Sequence, residues 1–332
     1  GISGPSACGS LGYAFTDAQY ADRVIAVTDN LVSYPAVPFS IPQTLVDWVV
    51  PVERIGIPEK IVSGTLRVTR DPLRLIIARQ VAKIVEESGL FLDGFSMQAG
   101  AGGISLAASA FIREKMKAAG IRGSFISGGI TGQSVEMLEE GLFSSLLDVQ
   151  SFDLEAAASL ASNRNHAEMS ASFYANTASK GCSVDMLDVA VLGATQVDLD
   201  FNVNVNTESD GILLHGIGGH MDTAAGAAMT VIVTPLFRGR MPMVVDRVLT
   251  VTTPGNTVDV VVTERGVAVN PQRKDILENL RGKGIPLVEI GDLKKMAEEL
   301  TGIPATPPFG EKVIGIVEYR DGTIIDTIRQ RV

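Results

Sequence analysis

The residues best placed to do chemistry sit in two glycine-rich stretches. Gln98-Ala-Gly-Ala-Gly-Gly103 falls between an apolar strand and a helical pattern. Glycines let backbone N–H groups approach a ligand closely, and a helix N-terminus adds a positive end. Gly102 and Gly103 could therefore hold a phosphate or a developing oxyanion, with Gln98 and Gly100 beside them. The loop lacks the third glycine of a dinucleotide fingerprint, and no Lys-Ser/Thr follows to make a P-loop. A tight turn that simply needs glycine would give the same pattern. The second stretch, Gly216-Ile-Gly-Gly-His220-Met-Asp222, supplies Gly218, Gly219 and His220 ahead of a helix-like run. His215 and His220 are five apart, and His166 is the one other histidine in the sequence. No metal-ligand spacing results, so no metal is expected and a structural role for each histidine is the default.

Charged candidates stand apart from these loops in sequence. Glu136 follows a Gly128-Gly129 turn at the start of a short helix and could act as nucleophile or base. A solvated helix residue would look the same. Arg67, Arg79, Arg238 and Arg240 are candidate carboxylate clamps. Arg238-Gly-Arg240 is the most suggestive, because the guanidinium fork matches a carboxylate. Neither Cys8 nor Cys182 has a CxxC or Cys/His context, so a cysteine nucleophile is not expected.

The elements that must position these residues alternate strand, loop and helix. Asp71 is a good N-cap and Pro72 a good first helical residue. Leu73, Ile76, Ile77, Val81, Ile84 and Val85 recur at helical spacing, and Gly89 ends the helix. A strand over 95–98 leads into the glycine loop. A helix over 104–119 leaves it and stops at Gly120. A strand over 121–127, the Gly128-Gly129 turn and a helix over 133–140 follow. Val197 to Val205 alternates apolar with polar, as a half-buried strand or hairpin arm does. Helices are expected over 275–280 and 293–300, and a hairpin about Arg320-Asp321-Gly322. The fold class is α/β, a parallel-rich sheet with helices on both faces.

Composition narrows the classes of function. The chain has 332 residues and a net charge of −10, which argues against nucleic acid or an anionic membrane as partner. It has no run long and apolar enough to span a bilayer and no secretory signal. Two cysteines fit a reducing, cytoplasmic setting.

Two stretches look alike. The early one carries Asp17, Val24-Ile-Ala-Val-Thr28, Val46-Asp-Trp-Val-Val50 and Glu53. The late one carries Asp222, Val231-Ile-Val-Thr234, Val258-Asp-Val-Val-Val262 and Glu264. Duplication would explain both. It predicts one complete domain over 72–332, a linker over 63–71, and over 1–62 the C-terminal part of a similar domain. The rest of that first domain would then lie upstream or come from another polypeptide.

Phe95-Ser-Met-Gln-Ala-Gly-Ala-Gly-Gly-Ile-Ser-Leu106 resembles the glycine loop that opens the second domain of coenzyme A transferases. The stretch from Val197 through Asn202-Val-Asn204 to Gly218-Gly219 and Asp222, and Val258 to Val269, are similar to later motifs of the same family. Within that superfamily the chain resembles most the alpha subunits of citrate lyases. The phrases are Cys8-Gly-Ser-Leu-Gly-Tyr-Ala14, Ser127-Gly-Gly-Ile-Thr131, Leu147-Asp-Val-Gln-Ser-Phe-Asp153, Ser179-Lys-Gly181, Phe201-Asn-Val-Asn-Val205, Gly218-Gly-His220 and Tyr319-Arg-Asp-Gly322.

The resemblance implies a coenzyme A transferase-like fold and transfer of a carrier thioester from acetate to citrate through a mixed anhydride. It implies an acyl carrier subunit and a lyase subunit as partners in an oligomeric complex. No cofactor would be bound to this chain, which would act on the coenzyme A-like prosthetic group of the carrier protein or on coenzyme A. Gly102 and Gly103 would then be catalytic. Gln98, Gly100, Arg67, Asn202, Asn204, Gly218, Gly219, His220, Arg238 and Arg240 would bind substrate. Glu136 would be catalytic only if the chain works as conventional coenzyme A transferases or thioester hydrolases do, through a covalent glutamyl thioester. A third possibility is a non-catalytic scaffold for the carrier and lyase subunits.

Overall fold

A computed structural model describes residues 1–5, 8–57 and 68–332. In chain order they form α1 (Gly12–Tyr20), β1 (Ile25–Thr28), β2 (Trp48–Pro51), α2 (Pro72–Glu87), β3 (Met97–Ala99), α3 (Gly103–Ala119) and β4 (Gly123–Ile130). Next come α4 (Gly132–Glu139), β5 (Phe143–Ser151), α5 (Leu154–Ser162), β6 (His166–Glu168), α6 (Ala171–Ala175), β7 (Val189–Gly193), β8 (Gln196–Asp198) and β9 (Val203–Asn204). Then follow α7 (His220–Gly226), β10 (Met229–Val233), β11 (Phe237–Arg238), β12 (Met241–Pro242), β13 (Val244–Val245) and β14 (Val260–Thr263). The last are β15 (Gly266–Val269), α8 (Lys274–Leu280), α9 (Ile290–Thr301), β16 (Phe309–Glu318) and β17 (Ile324–Arg331). Packing divides the chain into two compact units, 1–66 with 122–183 and 67–121 with 184–332. Residues 122–183 thus pack with the N-terminal segment, whereas the sequence boundaries assign them to the second domain.

The unit containing 184–332 is built on parallel strands. β3 pairs with β7, β7 with β10 and β10 with β14, all parallel, and β15 closes the edge antiparallel to β14. Side chains alternate across such strands, so each strand has two faces to bury. On one face Ala190, Leu192, Ile232, Val261 and Ala268 meet Ala224 of α7, Leu293 and Ala297 of α9, and the valines of β8 and β9. On the other, α2 packs against β10 and β14, and α3 against β3 and β7. Burial on both faces explains why these strands are continuous apolar runs.

Asp71 caps α2 through its side chain, which accepts a hydrogen bond of 2.9 Å from Leu73 N–H, and Pro72 is the first residue. Asp71→Ala is expected to cost about 1 kcal/mol in urea unfolding. The buried arc of α2 is Ile77, Ala78, Val81, Ala82, Ile84 and Val85. Leu73 and Ile76 of the expected stripe are exposed, because the arc is rotated towards the two alanines. The alternating run at 197–205 is a tight antiparallel hairpin, with Val197 opposite Val203. Phe201 holds a left-handed φ of 65° in its turn. The turn keeps Val197, Phe201, Val203 and Val205 on the buried side and leaves Leu199 out.

In the other unit β4, β5 and β6 run parallel. The expected Gly128-Gly129 turn is not a turn. The strand continues to Ile130, and the register slips between Gly128 and Gly129, opposite Val149. Gly128 takes φ 97°, which glycine alone adopts without strain. Cys8 and Cys182 are both free thiols.

The repeat is visible in hydrogen bonds. β1 and β2 pair parallel with Ile25 opposite Trp48, and β10 and β14 pair parallel with Val231 opposite Val260. Asp47 accepts from Val24 N–H at 2.8 Å, and Asp259 from Thr230 N–H at 2.6 Å. Ala21 N–H caps α1 at the Asp17 carbonyl as Ala227 N–H caps α7 at the Thr223 carbonyl. Asp17 therefore corresponds to Thr223, one residue beyond the Asp222 that sequence likeness pairs with it. The copies differ in burial. Ile25, Val27, Trp48, Val49 and Val50 are exposed, whereas Val231, Ile232, Val260, Val261 and Val262 are buried.

Candidate functional site

The glycine loop lies at the carboxyl end of β3, next to the carboxyl end of β7. Ligands in α/β folds bind outside such strand ends. Gly100 N–H is tied to the Val191 carbonyl at 2.9 Å, which anchors the loop to β7. Gly102 is the N-cap of α3, with φ −68° and ψ 148°, and no side chain caps the helix. The first N–H groups of a helix have no carbonyl four residues back to bond. Those of Gly103 and Ile104 therefore face outward at the positive end of a 17-residue helix. A Cβ placed on Gly102 would meet nothing within 4 Å among the described residues.

Behind the loop stands Ser105, fully buried, its hydroxyl without a hydrogen-bond partner among the described residues. That hydroxyl lies 3.7 Å from where a Cβ on Gly100 would sit. Gln98 is buried in the middle of β3 and donates to the Thr223 hydroxyl at 3.0 Å. Thr223 in turn donates to the Gly219 carbonyl at 2.7 Å. Gly218, with φ 61°, makes the bend that lets Gly219 start α7. Gln98, Gly100, Gly102, Gly103, Gly218, Gly219 and His220 thus all belong to one unit, and short bonds link Gln98 through Thr223 to Gly219.

His220 is a strut in the same unit. Its Nε2 lies 2.9 Å from the Gly193 carbonyl, which can only accept, so Nε2 carries the proton. Its Nδ1 then accepts from the Thr253 hydroxyl at 2.7 Å. Burial lowers its pKa from 6.5 to about 4. The ring is neutral near pH 7 and brings no charge to an anion. Two residues on, burial raises the Asp222 pKa and the charge of Arg320 opposes it.

Other expected site residues are placed differently. Asn204 is fully buried, donates to the Thr207 carbonyl and hydroxyl at 3.1 and 2.9 Å, and accepts from Thr207 N–H at 3.1 Å. Asn202 accepts from Gly255 N–H at 2.9 Å and donates to Asp198 at 3.3 Å. Both amides are engaged in folding the loops around β9. Arg238 and Arg240 are exposed at the turn joining β11 to β12. Arg67 lies outside the described residues. Glu136 is exposed on α4, in the other unit. His215 is exposed, its Nδ1 2.7 Å from the Gly216 carbonyl, and His166 is buried against Asp148 and Ser159. Among the described residues no cluster of three or more His, Cys, Asp or Glu could hold a metal. No described helix is long and apolar enough to cross a membrane.

Known proteins share both the sequence and the fold. A model of the citrate lyase alpha-subunit family matches residues 1–331. The citrate lyase alpha chain of Klebsiella pneumoniae is 53% identical over 330 residues, 99% of this chain and 65% of that one. That of Escherichia coli is 50% identical over the same shares. The chain thus spans 65% of the length of these curated relatives. A crystal structure described as the putative alpha subunit of citrate lyase in complex with citrate, from Streptococcus mutans, superposes with a TM-score of 0.96. It is 48% identical, over 100% of this chain and 65% of that one. The alpha subunit of a malonate decarboxylase from Acinetobacter baumannii shares the fold, with a TM-score of 0.61 at 16% identity, over 88% of this chain and 62% of that one. By sequence along nearly its whole length, and by fold, the chain belongs to the citrate lyase alpha-subunit family.

Proposed function

We propose that the chain carries part of the machinery that moves a carrier thioester from acetate to citrate. A carboxylate oxygen of citrate attacks the acetyl thioester carbonyl and the carrier thiolate leaves, giving a mixed anhydride. The thiolate then attacks the citryl carbonyl and acetate leaves. Citryl thioester and acetate are formed, and no proton or electron is left over. Each attack builds an oxyanion. The observation that carries the reading is the N-terminus of α3 behind the glycine loop, which no described side chain caps. Backbone donors aimed at a developing oxyanion are worth several kcal/mol because they need no reorganisation as the charge forms. The citrate found with the Streptococcus mutans relative supports the choice of acceptor. The thiol would belong to a carrier protein's prosthetic group or to coenzyme A, and the product would pass to a lyase subunit in the same cytoplasmic complex.

The test is mass spectrometry of the full-length chain with citrate and acetyl-coenzyme A standing in for the carrier. Citryl-coenzyme A with stoichiometric acetate is the expected result. Acetyl transfer through an enzyme-bound thioester, trapped with borohydride and lost in Glu136→Gln, would replace this mechanism by the covalent one. Binding of partners without any acyl exchange on the true carrier would leave only a scaffold.

A further inference from the structure

The terminal hairpin β16–β17 touches the site's framework at two points that converge on His220. At its turn, Arg320 is largely buried, with Nε 3.4 Å from Asp222 and Nη2 3.8 Å from Asp185. Asp222 lies in the first turn of α7, two residues after His220, and Asp185 lies just before β7. The turn itself is stiffened by Asp321, which accepts from Thr323 N–H at 3.0 Å. Farther along, Asp326 of β17 accepts from Val251 N–H at 2.7 Å. Val251 belongs to the stretch that ends at Thr253, the partner of His220 Nδ1. One anchor therefore fixes the helix that carries the imidazole, and the other fixes the segment that carries its hydrogen-bond partner. From α7 the connection runs on through Thr223 to Gln98, at the root of the glycine loop.

We propose that Arg320 is a positioning residue. Through Asp222 it holds the first turn of α7, and with it the Gly218-Gly219 bend and Gln98, in the arrangement the glycine loop needs. Arg320 touches no reacting atom in this scheme. The inference rests on the reading of the glycine loop as the reaction site. Small displacements of a positioned group cost rate steeply, whereas substrate affinity survives if the contacts that bind substrate lie elsewhere.

The test uses the full-length chain and three variants, Arg320→Gln, Asp222→Asn and the double. Arg320→Gln is expected to lower kcat about tenfold while the KM for citrate stays within about twofold. Hydrogen exchange should rise across 219–226 and stay unchanged in β14 and α2. The double variant should lose no more than the worse single one, since both remove the same link. Arg320→Lys should recover part of the loss. Additive losses, or a raised citrate KM without faster exchange at α7, would overturn the proposal and place Arg320 against substrate. Unchanged exchange and unchanged kcat would overturn it outright. If the wild type shows no transfer, the functional reading fails, yet the exchange data still decide whether Arg320 holds α7.

Discussion

Gly102→Pro is expected to cut the transfer rate about 10²- to 10³-fold while Gly102→Ala stays close to the wild type. The two substitutions differ in one relevant respect. Gly102 has φ −68°, within the range a proline ring imposes, so proline fits the backbone there. A Cβ at this position meets nothing within 4 Å among the described residues, so alanine adds its methyl group without displacing any of them. Proline removes the N–H that the loop presents before α3, and alanine keeps it. If that N–H meets the oxyanion, its loss removes an interaction made in the transition state, and kcat falls with kcat/KM. Steady-state kinetics with citrate and acetyl-coenzyme A would measure it, and thermal unfolding would show that both variants keep the fold. Equal losses in the two variants would mean that the loop needs space at Gly102 rather than its N–H, and would leave the N–H groups of Gly103 and Ile104 as the only oxyanion donors of the loop.

Features written in short segments were legible in the sequence. Asp71-Pro72 and Gly120 bound their helices because caps act within one turn, and the Asp-Gly hairpin turn needs four residues to specify it. The glycine loop is legible for the same reason: strand, glycines and helix follow one another directly. Gly128-Gly129 reads as a turn in the sequence, because a glycine with positive φ serves a bulge as well as a turn, and only the pairing with β5 distinguishes them. Asn202 and Asn204 look like ligands in sequence because an asparagine that folds a loop and one that binds a substrate share a side chain. The partners of His220 were not legible at all. Thr253 and Gly193 are 33 and 27 residues away, and neither sits in a pattern that names its function. Arg320 lies in the Tyr319-Arg-Asp-Gly322 turn of the sequence, but its link to Asp222 exists only once β16 and β17 fold back. The fold's local grammar was thus readable, and the second layer around the site, made of contacts distant in sequence, was not.

That second layer gives the other large effect, a pH dependence of stability centred on His220. Its pKa falls from 6.5 to about 4 on folding, because burial disfavours the imidazolium. Between those values the unfolded chain holds a proton that the native chain does not. Stability therefore rises with pH across that window. The contribution is complete above pH 6.5 and is lost as pH falls to about 4. At about 1.4 kcal/mol per pKa unit it amounts to about 3 kcal/mol. His220→Gln isolates it, because the amide can donate to the Gly193 carbonyl and accept from Thr253 without titrating. Asp198, Asp222 and Asp259 have pKa values raised by burial and so act in the opposite sense at acid pH. They are present in both proteins and drop out of the difference. Urea unfolding at a series of pH values should show the wild type losing about 3 kcal/mol relative to the variant on going from pH 6.5 to 4. Parallel curves would mean that the imidazole is charged in the native state. Thr253 and Gly193 would then hold a cation beside the glycine loop, and His220 would become a direct candidate for binding citrate.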